Sequence, residues 1–251
     1  MRMNVSAGPA GVDLRPLSAR SVVLSLLLGT HPPRLPVKDL LRLVEPFGVG
    51  GSALRAALSR MTAAGDLRRT DDAVYGLSDR LLARQRRQDE AVRPRTRAWH
   101  GDWEMLIVTA TGRGPAERAE LRTRLARLRL AELREGVWLR PANLARPLPG
   151  DVLDLTESCT ARPSRPAPEL AAHLWPLTAW AETARALLAH EAEARRAPDR
   201  LTLFAAAVRH LLTDPVLPPQ LLPADWPGDD LRTAYASYRA ELGDPAGERA
   251  V

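Results

Sequence analysis

The sequence predicts an α+β protein in three parts: an N-terminal winged helix-turn-helix, a central ferredoxin-like α+β module that is shortened, and a C-terminal helical region. Three helix-patterned segments with start and stop signals precede two short apolar runs around an acidic turn. A strand, helix, strand order follows, and the last third shows mainly helical periodicity. The charge divides at the same place, with 17 basic and 9 acidic side chains in residues 1–98 against 19 and 21 in residues 99–251. The boundaries expected are a disordered tail over 1–16, a winged-helix DNA-binding domain with its following basic helix over 17–92, a linker over 93–98, the central module over 99–174 and the helical domain over 175–251.

Residues 1–16 have no apolar period and several Gly and Pro, the composition of a tail. Ser18 is placed to cap a helix to Leu28 on Val22, Val23, Leu26 and Leu27, with Gly29 as its stop. Pro32, Pro33 and Pro36 fill a turn. Pro36 then opens a second helix to Val44 on Leu40, Leu41 and Val44, which Glu45-Pro46 ends. Ser52 is the expected N-cap of a third helix over 53–64, with Gly65 just past its end. Leu54, Leu58 and Met61 share one face; Ser52, Ala56, Ser59, Arg60 and Ala63 fall opposite, with Arg55 at the edge. Leu67 to Thr70 and Ala73 to Leu77 read as two strands around Asp71-Asp72. A basic helix from Asp79 to about Val92, with Ser78 as its cap, precedes the Arg93-Pro94-Arg95 linker.

In the central module, strands are expected over 103–109 and 136–140 with an amphipathic helix over 115–130 between them, and a further strand over 152–156. Residues 161–168 read as a proline-rich loop. Helices are expected over 178–195, 200–212 and 229–242, with a proline-rich connection over 215–227.

The charge pattern points to an anionic partner. Net charge is +6, and from Arg55 to Arg97 eleven arginines face six acids, the one-sided footprint of a nucleic-acid-binding half. In a winged helix the third helix enters the major groove while the hairpin touches the backbone. The candidate DNA-binding residues are therefore Ser52, Arg55, Ser59 and Arg60, with Arg68 and Arg69 supporting at the wing. Arg55 and Arg60 suit either guanine edges or phosphates. A solvated charged face and a protein-interaction module remain the rival readings of the same pattern.

Five separated blocks resemble one family, the PaaX-type transcriptional repressors of phenylacetate catabolism in bacteria. They are SALRAALSRMTAAGDL from Ser52, YGLSDRLLARQRRQD from Tyr75, RPRTRAWHGDWEMLIV from Arg93, LREGVWLRPANL from Leu133 and DPVLPPQLLPADWPG from Asp214. The resemblance implies a homodimer that binds a near-palindromic double-stranded DNA operator and is released by an aromatic acyl-CoA such as phenylacetyl-CoA. Between Leu144 and Trp175 the chain is shorter and richer in proline than that family's central module, so a strand and part of a helix are expected to be missing there.

Other chemistry finds little footing. His31, His100, His173, His190 and His210 are scattered without metal-ligand spacing, and Cys159 is the sole cysteine, which rules out an internal disulfide and fits the cytoplasm. The central module also resembles the metal-dependent nuclease of CRISPR adaptation, but Val108 leads into Thr109-Ala110-Thr111 without the acid that would help hold a metal. No catalytic residue, cofactor or metal is expected, and the effector-binding residues are not read from the sequence. The apolar run 22–28 is far short of the roughly 20 residues of a membrane span. Six tryptophans are expected mostly as packing anchors, and Tyr235 with Tyr238 as a core or dimer pair.

Overall fold

The computed structural model describes residues 17–70 and 72–243, so the expected tail and Asp71 of the acidic turn lie outside it. The chain forms two units. One joins the chain up to Arg93 with Glu182–Leu212 and the stretch from Pro227, and the other joins Pro94–Ala181 with Thr213–Trp226. The helices expected as one C-terminal domain are thus shared between the units.

The first unit opens with α1 (Ala19–Gly29), β1 (Arg34–Pro36), α2 (Val37–Val44) and α3 (Gly51–Ala63). It continues with β2 (Leu67–Arg69), β3 (Val74–Leu77) and α4 (Asp79–Val92). Its antiparallel sheet has the order β1-β3-β2, the arrangement a winged helix requires. Ser18 caps α1 as expected, its Oγ accepting from the Ser21 N–H at 3.2 Å. At the other end the buried Gln85 amide donates to the carbonyls of Leu28 at 3.0 Å and Thr30 at 2.9 Å, satisfying groups a helix end leaves bare. Strand β1 was hidden in the turn expected around Pro32, Pro33 and Pro36. Its cross-strand partners are Gly76, Tyr75 and Val74, and an edge strand tolerates proline because one side needs no donor.

Helix α3 starts earlier than expected. Gly50 is its N-cap, with the Gly50 carbonyl already accepting from the Leu54 N–H at 2.9 Å, so Ser52 lies inside the first turn and caps nothing. Gly65 ends it at φ +68°, the left-handed conformation only glycine takes cheaply. The Gly65 N–H donates to Thr62 and the Asp66 N–H to Met61, a Schellman closure. That closure turns Asp66 inward, where its carboxylate accepts from Arg20 of α1 at 2.7 Å and from Arg80 of α4. Two later helices, α9 (Ala197–Leu211) and α10 (Gly228–Gly243), complete this core, Phe204 stacking on Tyr238 at 4.1 Å. Tyr235 and Tyr238 are buried within the unit.

The second unit holds β4 (Trp103–Val108), α5 (Pro115–Arg127), β5 (Ala131–Arg134), β6 (Val137–Pro141), the four-residue α6 (Gly150–Leu153) and β7 (Thr156–Ala161). Its antiparallel sheet runs β5-β6-β4-β7, the complete ferredoxin-like order. The expected loss of a strand is therefore corrected: all strands are present, and the shortening falls on the second helix, reduced to the single turn α6. The strand expected over 152–156 lies later, because Val152 belongs to α6 and pairing with β4 begins at Thr156. Helix α7 (Ala167–Leu174) follows, with Pro166 as its N-cap and Pro168 in the first turn, where a missing N–H costs no hydrogen bond. Helix α8 (Leu177–Glu193) carries the chain from this unit into the other.

A fully buried guanidinium organises the second unit. Arg140 donates to the carbonyls of Pro141 at 3.0 Å, Arg129 at 3.3 Å and Val216 at 3.2 Å, and to Asn143 Oδ1 at 2.7 Å. Burial first, then the nearby Arg146 charge, lowers its pKa to about 9. Val216 sits at φ +52°, a strained position for a β-branched residue, held by the Asp214 carboxylate on its N–H at 2.7 Å and by Arg140 and Asn143 on its carbonyl. Trp103 is buried under Trp175, and Trp180 stacks on Trp226 at 4.5 Å, so these tryptophans serve as packing anchors.

Replacing Arg140 with Met strands buried carbonyls and is expected to cost about 3 kcal/mol in urea unfolding. Asp66→Asn keeps the shape but removes the charge shared by two arginines, and about 2 kcal/mol should be lost in the same measurement.

Candidate nucleic-acid interface

The first unit carries exposed basic side chains on α3 and on its sheet. Leu54, Ala57, Leu58 and Met61 turn α3 into the core, which leaves Ser52, Arg55, Ser59 and Arg60 exposed on its outer face. The small residues Ala53, Ala56 and Ala63 lie among them and are also exposed, so a flat partner can approach the helix backbone closely. Arg68 and Arg69 are exposed on β2, as the expected wing requires.

The sheet register separates the two wing arginines. Arg34, Gly76 and Arg68 form one cross-strand row, and Leu35, Tyr75 and Arg69 the next, so Arg34 and Arg68 share one face and Arg69 points to the other. Arg69 lies over the Tyr75 ring, 5.9 Å from its centroid, and Arg68 pairs with the exposed Asp79. Arg34 was missed in the sequence because its strand is only three residues long and flanked by prolines. Gly76 lies between Arg34 and Arg68 without a side chain of its own, and a Cβ there would stand 3.6 Å from the Arg34 Cβ and from the Pro33 carbonyl.

The second unit carries a cleft of about 480 Å³ at the end of β4, bounded by α5 and the β5–β6 turn. Arg113, Arg118, Arg122 and Trp138 line it, and the half-buried Arg113 Nε has no hydrogen-bond partner. Arg118 donates to the Arg113 carbonyl at 3.3 Å and Arg122 stands 3.7 Å from Glu132. The β4 end itself offers Val108, Thr109 and Ala110 rather than an acid, and among the described residues no three His, Cys, Asp or Glu side chains group to hold a metal. Cys159 is exposed on β7. Among the described residues no helix is long and apolar enough to cross a membrane.

Comparison with known proteins covers most of the chain. Residues 18–81 match the model of the PaaX-like protein, residues 96–159 that of the PaaX protein central Cas2-like domain, and residues 169–250 that of the PaaX-like protein C-terminal domain. A solved structure, an uncharacterized protein, Rv0674, from Mycobacterium tuberculosis, is 54% identical, with 90% of this chain and 95% of that one covered and a TM-score of 0.79. Among curated proteins nothing matches.

Because Gly50 rather than Ser52 caps α3, Ser52→Ala is expected to leave the unfolding free energy, measured by thermal unfolding, unchanged within about 0.5 kcal/mol. Loss of the 1 kcal/mol or so typical of a broken cap would restore Ser52 as the N-cap.

Proposed function

Since this chain belongs to the PaaX-like protein family, we propose that it is a DNA-binding transcription regulator that represses a catabolic operon from the cytoplasm. Helix α3 enters the major groove with Ser52, Arg55, Ser59 and Arg60; Arg68 and Arg34, on one face of the sheet, reach the adjoining phosphates, and Arg69 supports the wing from its place over Tyr75. The single observation that supports this most is the exposed, small and basic face of α3 beside wing arginines, on the unit that the PaaX-like model matches. A homodimer places two such helices on the half-sites of a near-palindromic operator.

An aromatic acyl-CoA such as phenylacetyl-CoA relieves the repression. The cleft at the end of β4 supports this reading, since the Arg113, Arg118 and Arg122 guanidiniums suit phosphates and the Trp138 indole suits a ring. A nuclease reading lacks support from the residues at the β4 end, where the acid is absent.

Footprinting the DNA upstream of the gene, at physiological salt, tests the proposal. Protection is expected, and phenylacetyl-CoA is expected to relieve it; binding that is weak, indifferent to sequence and abolished by modest salt would instead favour a protein-interaction module. Arg55→Ala and Arg60→Ala should each cost about 1 to 3 kcal/mol of operator binding where the contact is to a base edge. Arg34→Ala should weaken operator and unrelated DNA alike, with a salt dependence shallower by about one phosphate.

A further inference from the structure

Within the winged unit, α1, α4, α9 and α10 enclose a second cleft, of about 160 Å³. Phe204, Leu24, Leu28 and Val208 form its apolar wall, and Arg84, Arg209 and Tyr238 bring polar groups to it. Two other arginines at its edge are already engaged, Arg20 with Asp66 at 2.7 Å and Arg239 with Asp89 at 2.8 Å. Arg84 and Arg209 have no such partner among the described residues. Arg84 is half-buried, and burial together with the guanidiniums of Arg209, Arg87, Arg20 and Arg80 holds its pKa below the ordinary arginine value. A concentration of like charge against an apolar wall is unfavourable until an anion enters it.

Tyr238 supplies an independent sign. It is 5% exposed, and its hydroxyl has no hydrogen-bond partner although the ring is packed between Phe204 and the Arg200 guanidinium. Burial raises its pKa above the ordinary tyrosine value, so the hydroxyl stays protonated and needs an acceptor. A buried donor left bare is a standing cost that a bound acceptor removes.

We propose that this cleft binds a small organic carboxylate, whose oxygens pair with Arg84 and Arg209 and accept the Tyr238 hydroxyl, while its apolar body packs against Phe204, Leu24 and Val208. The planar guanidinium matches the two oxygens of a carboxylate, and the apolar wall disfavours a fully hydrated inorganic anion. Its lining residues all belong to the first unit and none of them lines the cleft at the end of β4, and its occupancy does not depend on α3 reading DNA.

Calorimetric titration of the full chain, without DNA, tests it with benzoate and hexanoate as probes and benzamide, hexanamide and inorganic phosphate as controls. At least one acid is expected to saturate with a Kd below about 1 mM, with its amide weaker by roughly tenfold or more. Arg84→Gln should weaken the acid by roughly tenfold and Tyr238→Phe by about fivefold, both without loss of the folded state. Tyr238→Phe decides the matter if Arg84→Gln does not fold, because it deletes only an unpartnered hydroxyl. The proposal is overturned if neither acid saturates, if the amides or phosphate bind as well, or if affinity is unchanged in folded Tyr238→Phe.

Discussion

Asp66 is a carboxylate taken almost wholly out of water, and a charge so placed must keep its partners. Its position follows from Gly65, whose left-handed backbone closes α3 and swings the next residue inward. Its partners, Arg20 and Arg80, lie on α1 and α4, so one buried charge just past the end of α3 ties both helices to it. The Asp66 carbonyl also accepts from the Ser78 N–H at 3.0 Å, which ties the far end of the hairpin to the same point. The exposed face of α3 is thus displayed by a constraint on its hidden side. Both arginines remain largely exposed, so most of the stabilisation comes from satisfying Asp66, not from surface attraction.

The second unit solves the same problem with the opposite sign. Arg140 has Glu104 opposite it on β4 but hydrogen-bonds no carboxylate, and is satisfied by carbonyl and amide oxygens, three of them backbone carbonyls. This explains why blocks far apart in the chain go together. LREGVWLRPANL contributes Arg140 and Asn143, and DPVLPPQLLPADWPG contributes Asp214 and the strained Val216 that they hold. A strained carbonyl persists only where its surroundings overdetermine it, and here three side chains do so.

The sequence made local signals legible and left long-range ones hidden. Ser18, Gly65 and the alternation around Asp72 act within a few residues, so α1, the end of α3 and the wing could be read directly. The exposed set Ser52, Arg55, Ser59, Arg60, Arg68 and Arg69 followed from that periodicity, and the family blocks from their order. Prolines misled in both directions. They concealed β1 and α7, where an edge position or a first turn makes the missing N–H harmless, and they made the central module look poorer in strands than it is. Strand β5 escaped because it is short, directly follows a helix and carries a bulge against β6. Nothing local announces that α9 and α10 return to the first unit, since that depends on aromatic packing between residues as distant as Phe204 and Tyr238 and on what Arg84 and Arg239 meet there.

The basic excess of the N-terminal half also changes meaning once its partners are known. Arg20 and Arg80 neutralise Asp66, Arg68 rests on Asp79, and Arg84 points into a cleft instead of bulk solvent. Of the candidate groups on α3 and the sheet, this leaves Arg34, Arg55 and Arg60, with Arg68 shared with Asp79 and Arg69 drawn over its own tyrosine. In the DNA-binding role proposed above, each phosphate neutralised contributes about 0.9 to the logarithmic salt slope, so a few guanidiniums give a slope well below what the raw count of arginines implies. Affinity for a particular operator, on that proposal, has to come from where those few groups stand and from the close approach that Ala53, Ala56 and Ala63 permit. A diffuse positive field would favour any duplex; a sparse one on a small-residue helix makes shape and base edges decide.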